Sequence, residues 1–208
     1  YLWANLDNTD IEFDKIIAVD VADNKLLGEE TGEVQFTDNA ISGIPVMNLS
    51  HLCKDNNDIS LTLDLCDDIS FNELFEHIKS QSETDEIETV LGGIVNSKLG
   101  FMVMSKADII PHTTLANATT NDIKKICETL KNFTLKIKGT KDFNSAQITC
   151  GGIKTNEIDP KTMMSEITEG LFLCGEILDI HGDCGGYNLH LAWTTGRIAG
   201  NSIAEYLK

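Results

Sequence analysis

The 208 residues carry 33 acidic against 16 basic side chains, a formal charge of −17, and that excess repels phosphate backbones and anionic lipid headgroups. Nucleic acid and membrane surfaces are therefore excluded as partners held by bulk charge, and no apolar run approaches the ~20 residues that a spanning helix requires. With 41% hydrophobic and 24% charged residues the composition is that of a folded chain, not a disordered one.

The chain opens at Tyr1 without a methionine, so a processed or excised piece of a longer protein is the expectation. Residues 16–21 and 33–37 are short, rich in β-branched residues and bounded by turn formers at Asp23-Asn24 and Thr31-Gly32, the pattern of strands in one antiparallel sheet. Ile59 to Leu65 alternates apolar and polar side chains, the period of a half-buried strand. The period then lengthens. Ser70 and Glu73 form a capping-box pattern ahead of Phe71, Leu74, Phe75 and Ile78, and helical spacing returns in 83–96 and again in 120–132 with Ile123, Ile126, Cys127 and Leu130. These segments predict a helical subdomain over 70–132.

Strand character resumes at 133–139 and 147–153, so the helical block reads as an insertion that divides one β unit. Gly170 to Glu176 is short, apolar and closed by glycine, which predicts a strand buried on both faces, and Tyr187 to Leu207 carries a long helical pattern. A buried strand, a glycine-rich loop and a helix in that order belong to a three-layer α/β sheet. Trp193 and Tyr187 read most simply as packing residues of that helix.

Six cysteines with no C-x-x-C pair argue against zinc ribbons and thioredoxin-type pairs and for reduced, cytoplasmic thiols. Cys66, Cys127 and Cys174 lie in apolar runs and read as small core residues. His181, Asp183 and Cys184 crowd one tight turn, which rarely allows tetrahedral convergence, so no metal is expected. The sequence shows no electropositive setting of the kind that would activate Cys184 as a catalytic thiol.

The densest chemical signal lies between the apolar run and the last helix, where Gly175, Gly182, Gly185 and Gly186 fall within Gly175–Asn188. Glycines let backbone approach a ligand closely, and N–H groups at a helix start attract negative charge. The residues alone leave two readings, a phosphate or flavin site and a plain glycine-rich turn.

Residues 170–200 closely resemble the C-terminal signature of the BaiN/RdsA-like flavoproteins, also described as aminoacetone oxidase-like NAD(P)/FAD-dependent oxidoreductases. Three further stretches agree in order and spacing: Gly32 to Thr37 with Ile41-Ser-Gly-Ile-Pro45, Ala146 to Ile153, and Glu157 to Ser165. Two positions depart from the pattern. Ala40 stands where glycine is usual, and Glu166 where a lysine is expected. The strand–G-x-G-x-x-G–helix unit with which the family begins is not present in the 208 residues.

The resemblance implies an α+β chain: a discontinuous antiparallel β-barrel domain in 1–69 and 133–155, the helical insertion in 70–132, and in 156–208 the returning strand–loop–helix edge of an FAD-binding domain. It implies FAD as cofactor, with NAD(P)H as a possible co-substrate, and a small organic substrate. Gly175, Glu176 and Asp179 would lie by the ribityl and pyrophosphate part of FAD. Gly185, Gly186, Tyr187, Asn188 and Leu189 would aim a helix N-terminus at the pyrimidine edge, where negative charge gathers on reduction. Gly151, Gly152, Thr162 and Met163 would line the junction near the reactive face. No catalytic acid or base is identifiable. The 208 residues alone are expected to be inactive and to need the N-terminal half that grips the flavin. The alternative is a stand-alone, non-catalytic binding module derived from the same fold.

Overall fold

The computed structural model describes residues 9–20, 25–37, 40–53 and 58–208, which fall into two compact units, Tyr1–Thr140 and Lys141–Lys208. The Asp23-Asn24 turn lies outside the described residues.

In the first unit the alternating sequence produces the strand that its period requires. Strand β1 (Thr9–Asp20) pairs antiparallel with β2 (Lys25–Phe36), which carries the short β3 (Ile41–Ser42) on its outer side. On the other flank β1 pairs with β4 (Ile59–Asp64), and β4 with β5 (Phe133–Lys136), giving an open antiparallel sheet in the order β3-β2-β1-β4-β5. Ile59, Leu61 and Leu63 are buried on one face of β4 while Ser60, Thr62 and Asp64 alternate outward. Across the next pairing, Leu61 faces Leu135 and Leu63 faces Phe133, so both strands present the same apolar face.

No closed barrel forms among the described residues. Its two edges, β3 and β5, stand at opposite ends of the strand order, and β3 is two residues long, too short to zip a sheet into a cylinder. Gly43, just after β3, has φ +110, and a Cβ there would collide with the carbonyl of Glu33. That close approach accounts for the glycine in Ile41-Ser-Gly-Ile-Pro45. Ala40, by contrast, has no left-handed backbone, so the departure from glycine at that position costs the turn nothing.

Between the hydrogen-bonded neighbours β4 and β5 lies the helical block: α2 (Phe71–Lys79), α3 (Ile87–Leu91), α4 (Ser97–Lys106) and α5 (Thr120–Lys131). A further short helix, α1 (Ile44–Leu49), follows β3. The Ser70/Glu73 capping box is formed, and Thr119 with Asp122 makes a second one at the start of α5. Leu74, Ile78, Ile87, Leu91, Leu99, Val103, Ile126 and Leu130 join Leu63 and Phe133 in one core. Cys127 is fully buried in it, and burial pushes its thiol up to about 11. Burial likewise raises the half-buried Cys66 to about 11. Both behave as small apolar residues. Lys131 closes the seam: its Nζ pairs with Asp64 at 2.7 Å and donates to the carbonyls of Cys66 and Ile69, so the end of α5 is anchored to the end of β4.

The helical block also contains an ion-pair clamp. His112, with φ +62, places Nδ1 2.8 Å from Glu88 and 3.2 Å from Glu86, and its backbone N–H donates to Glu88. The hydrogen bond to Glu86, followed by the charges of Glu88 and Glu86, raises the His112 pKa above its ordinary 6.5; the His112 hydrogen bond lowers that of Glu86. The imidazolium contribution is thus complete below the unfolded value and fades as pH rises through the raised folded one, while the Glu86 contribution fades only in acid. An NMR titration should place the His112 midpoint above 6.5, and Glu86→Gln should lower it. An unchanged midpoint in E86Q would rule out this coupling.

The second unit has no extended strand. Gly170–Glu176, expected as a strand buried on both faces, makes only a single bridge between Met164 and Phe172. Leu171 is 43% exposed and Cys174 is exposed, so Cys174 is not a core residue. The reason is that no described strand flanks this segment on either side, and a strand needs such neighbours to bury both faces. Residues 147–153 likewise form a bridge, Ile153 with Leu178, in place of a strand. The unit is organised by α6 (Tyr187–Tyr206) around a small core of Ile158, Met163, Leu178 and Ala199. Trp193 is 80% exposed. It lies away from the face that buries Thr195 and Ala199, and so does not pack within the unit.

Candidate functional site

All twelve residues assigned above to a cofactor fall in the second unit, and its hydrogen bonds show how the glycine loop is held. Gly152 lies against the backbone of the loop: a Cβ there would collide with the carbonyl of Ile177 and come within 2.9 Å of Leu178 C and 3.0 Å of Asp179 N. This approach lets Ile153 N donate to Ile177 O at 2.8 Å and Asp179 N donate to Ile153 O at 2.8 Å. Gly151, with φ +97, has open space around its missing side chain. Glu176 adds a third tie, its carboxylate accepting from Thr149 N at 2.8 Å.

The far side of the loop is fixed to α6. Gly175, with φ +76, donates its N–H to Thr195 Oγ1 at 2.9 Å, and that hydroxyl donates to Leu191 O at 2.8 Å. Asn188 holds Gly182 at two points: its Oδ1 accepts from Gly182 N at 2.8 Å and its Nδ2 donates to Gly182 O at 2.9 Å. Gly185 (φ +130) and Gly186 (φ +96) then turn the chain into the helix, which has no side-chain cap. The first intrahelical bond shown is His190 N to Gly186 O. The N–H groups of Tyr187, Asn188 and Leu189 therefore lie in the first turn, where the positive end of the helix dipole favours an anion. Tyr187 and Leu189 are 66% and 69% exposed.

Thr162 and Met163 sit in a separate turn built on Asp159. The Asp159 carboxylate accepts from Lys161 N and Thr162 Oγ1, both at 2.9 Å, and these bonds, the first above all, hold its pKa below the ordinary carboxylate value. Met163 is buried with φ +60 and its carbonyl accepts from Leu173 N. The arrangement thus gathers Gly151, Gly152, Gly175, Glu176 and Asp179 at one seam and Gly185 to Leu189 at the helix start. Thr162 and Met163 are joined to the apolar run at Leu173.

Sequence reasoning did not single out Thr195, the polar residue of α6 that is buried. A signal was available: Asn188 and Thr195 are seven residues, or about two turns, apart on one helix face.

Residues 43–202 match the sequence profile of the HI0933-like protein Rossmann domain. The chain belongs to the HI0933-like flavoprotein family. Its resemblance to the BaiN/RdsA-like proteins is thereby borne out, and the match fits a mixed α and β chain. Among curated HI0933-like relatives, the 3-dehydro-bile acid delta(4,6)-reductase of Clostridium scindens is 34% identical over 87% of this chain and 46% of its own length. The ribosomal RNA dihydrouridine synthase of Haemophilus influenzae is 28% identical over 83% of this chain and 42% of its own. The protein of the same name from Escherichia coli is 25% identical over 77% and 39%. The chain thus spans less than half the length of these relatives. Among the described residues no helix is long and apolar enough to cross a membrane.

Proposed function

We propose that this chain is the substrate-side and C-terminal portion of an FAD-dependent oxidoreductase, with the antiparallel sheet and its helical insertion at 70–132 forming the substrate side and 156–208 belonging to the FAD-binding domain. The observation that carries the reading is the α6 N-terminus: two left-handed glycines lead into it, no side chain caps it, and the adjoining loop is held on both sides. A helix start so arranged suits an anionic group on a cofactor. Gly175, Glu176 and Asp179 would flank the ribityl and pyrophosphate part, and Gly185 to Leu189 the pyrimidine edge. Gly151, Gly152, Thr162 and Met163 would lie toward the reactive face.

FAD, when bound, would supply the hydride chemistry, with NAD(P)H as co-substrate and a small organic molecule as substrate. A reductase among the relatives supports this class. The charge of −17 gives no support to RNA contact by this part of the protein. The partner of the second unit would be an N-terminal dinucleotide-binding half, and its exposed Trp193, Leu189, Ile167 and Leu207 are the kind of surface such a half would cover. The 208 residues alone are proposed to be inactive, and the whole protein cytoplasmic.

The test is titration of the full-length protein with FAD, followed by absorbance. Stoichiometric uptake with a yellow spectrum is expected. A full-length protein that stays colourless in excess FAD refutes the reading.

A further inference from the structure

Thr195 is 6% exposed and lies seven residues beyond Asn188 on the face of α6 that also carries the buried Ala199. Both polar side chains are directed at the backbone of the glycine loop. Thr195 takes the N–H of Gly175, at the start of the loop, and fixes its own hydroxyl by donating to Leu191 O. Asn188 takes both the N–H and the carbonyl of Gly182. Gly182 itself is in close contact with the helix, since a Cβ there would sit 3.1 Å from Tyr187 Cβ. One helix face therefore grips the loop at two points seven residues apart in the loop, on either side of the intervening 176–181 segment.

We propose, resting on the flavoprotein reading above, that Thr195 is a positioning residue for the cofactor and that Asn188 acts with it in the same role. The Thr195 hydroxyl proton is used on Leu191 O, and the Asn188 amide is held at both its oxygen and its nitrogen by Gly182. The backbone N–H groups of the first turn of α6 are donors for the cofactor, and the two side chains fasten the loop against that same helix. A hydroxyl at 195 is the essential feature. Valine has the same shape but no acceptor, so it would leave Gly175 N without its partner in a half-buried place, whereas serine would keep the bond.

The experiment uses the full-length protein and reads FAD dissociation constant, visible spectrum and reduction potential for wild type, Thr195→Val and Thr195→Ser. T195V is expected to weaken FAD binding at least tenfold and to shift the flavin band and potential. T195S should restore all three to near wild type, which packing at this position would not explain. If T195V retains wild-type affinity, spectrum and potential, the proposal is overturned. Amide exchange at Gly175 in the wild-type protein keeps the test independent of how T195V folds: protection is expected, and fast exchange overturns the proposal. Absence of FAD binding by the wild type would instead overturn the flavoprotein reading, a result visible before any variant is made.

Discussion

Gly152→Ala is expected to separate the two segments that build the candidate site. Its Cβ would meet the backbone of the facing 177–179 segment, with Ile177 O, Leu178 C and Asp179 N all at or inside contact distance, so no rotation of a side chain can relieve the clash. The segments must move apart, and the bonds from Ile153 N to Ile177 O and from Asp179 N to Ile153 O are the ones lost. Strain and two hydrogen bonds together amount to about 2–4 kcal/mol. In the full-length protein the displaced loop should lower FAD affinity by roughly tenfold or more, a loss of about 1.4 kcal/mol per decade. Gly151→Ala provides the contrast. Its φ of +97 is unfavourable for alanine, but there is open space around it, so it should cost only about 1–2 kcal/mol. Amide exchange at Ile153 and Asp179, together with FAD titration, decides the matter. If G152A matches the wild type in both, the seam does not hold the loop.

Phe133→Ala should be the most damaging change in the first unit. Phe133 is fully buried where β5 meets β4 and the helical block, and it pairs with Leu63. Lys106 from α4 lies over its ring at 4.9 Å and donates to Thr134 O at 2.7 Å. Desolvation against this surface lowers the Lys106 pKa. Truncation removes the ring from the core and the face on which the ammonium rests, with an expected loss of about 3–5 kcal/mol. Phe133→Leu, which fills most of the volume, should cost less than about 1.5 kcal/mol. Urea unfolding of the chain measures both. Equal midpoints for F133A and F133L would show that the site collapses around the smaller residue.

Periodicity made much of this architecture legible. The alternation in Ile59–Leu65, the Ser70/Glu73 capping box and the helical spacing of 120–132 each require only near neighbours, and each element stands where its pattern places it. Gly43 and Gly152 were legible as motif positions, but their purpose was not: each permits a backbone approach to residues distant in sequence, Glu33 and Ile177. The apolar run at Gly170–Glu176 had the composition of a central strand and lacks one here, because a strand is a property of its neighbours as much as of its own residues.

By itself the sequence determined the strand and helix periods, the capping of α2, the glycine loop and, through ordered motifs, membership of a flavoprotein family. Tertiary structure alone decided that the five-stranded sheet stays open, that Cys174 and Trp193 face outward, and that Thr195 and Asn188 are spent on holding the loop. Local patterns record which face of an element is apolar. They do not record which distant backbone will be brought against it, and hydrogen bonds such as Thr195 to Gly175 exist only once the helix has packed.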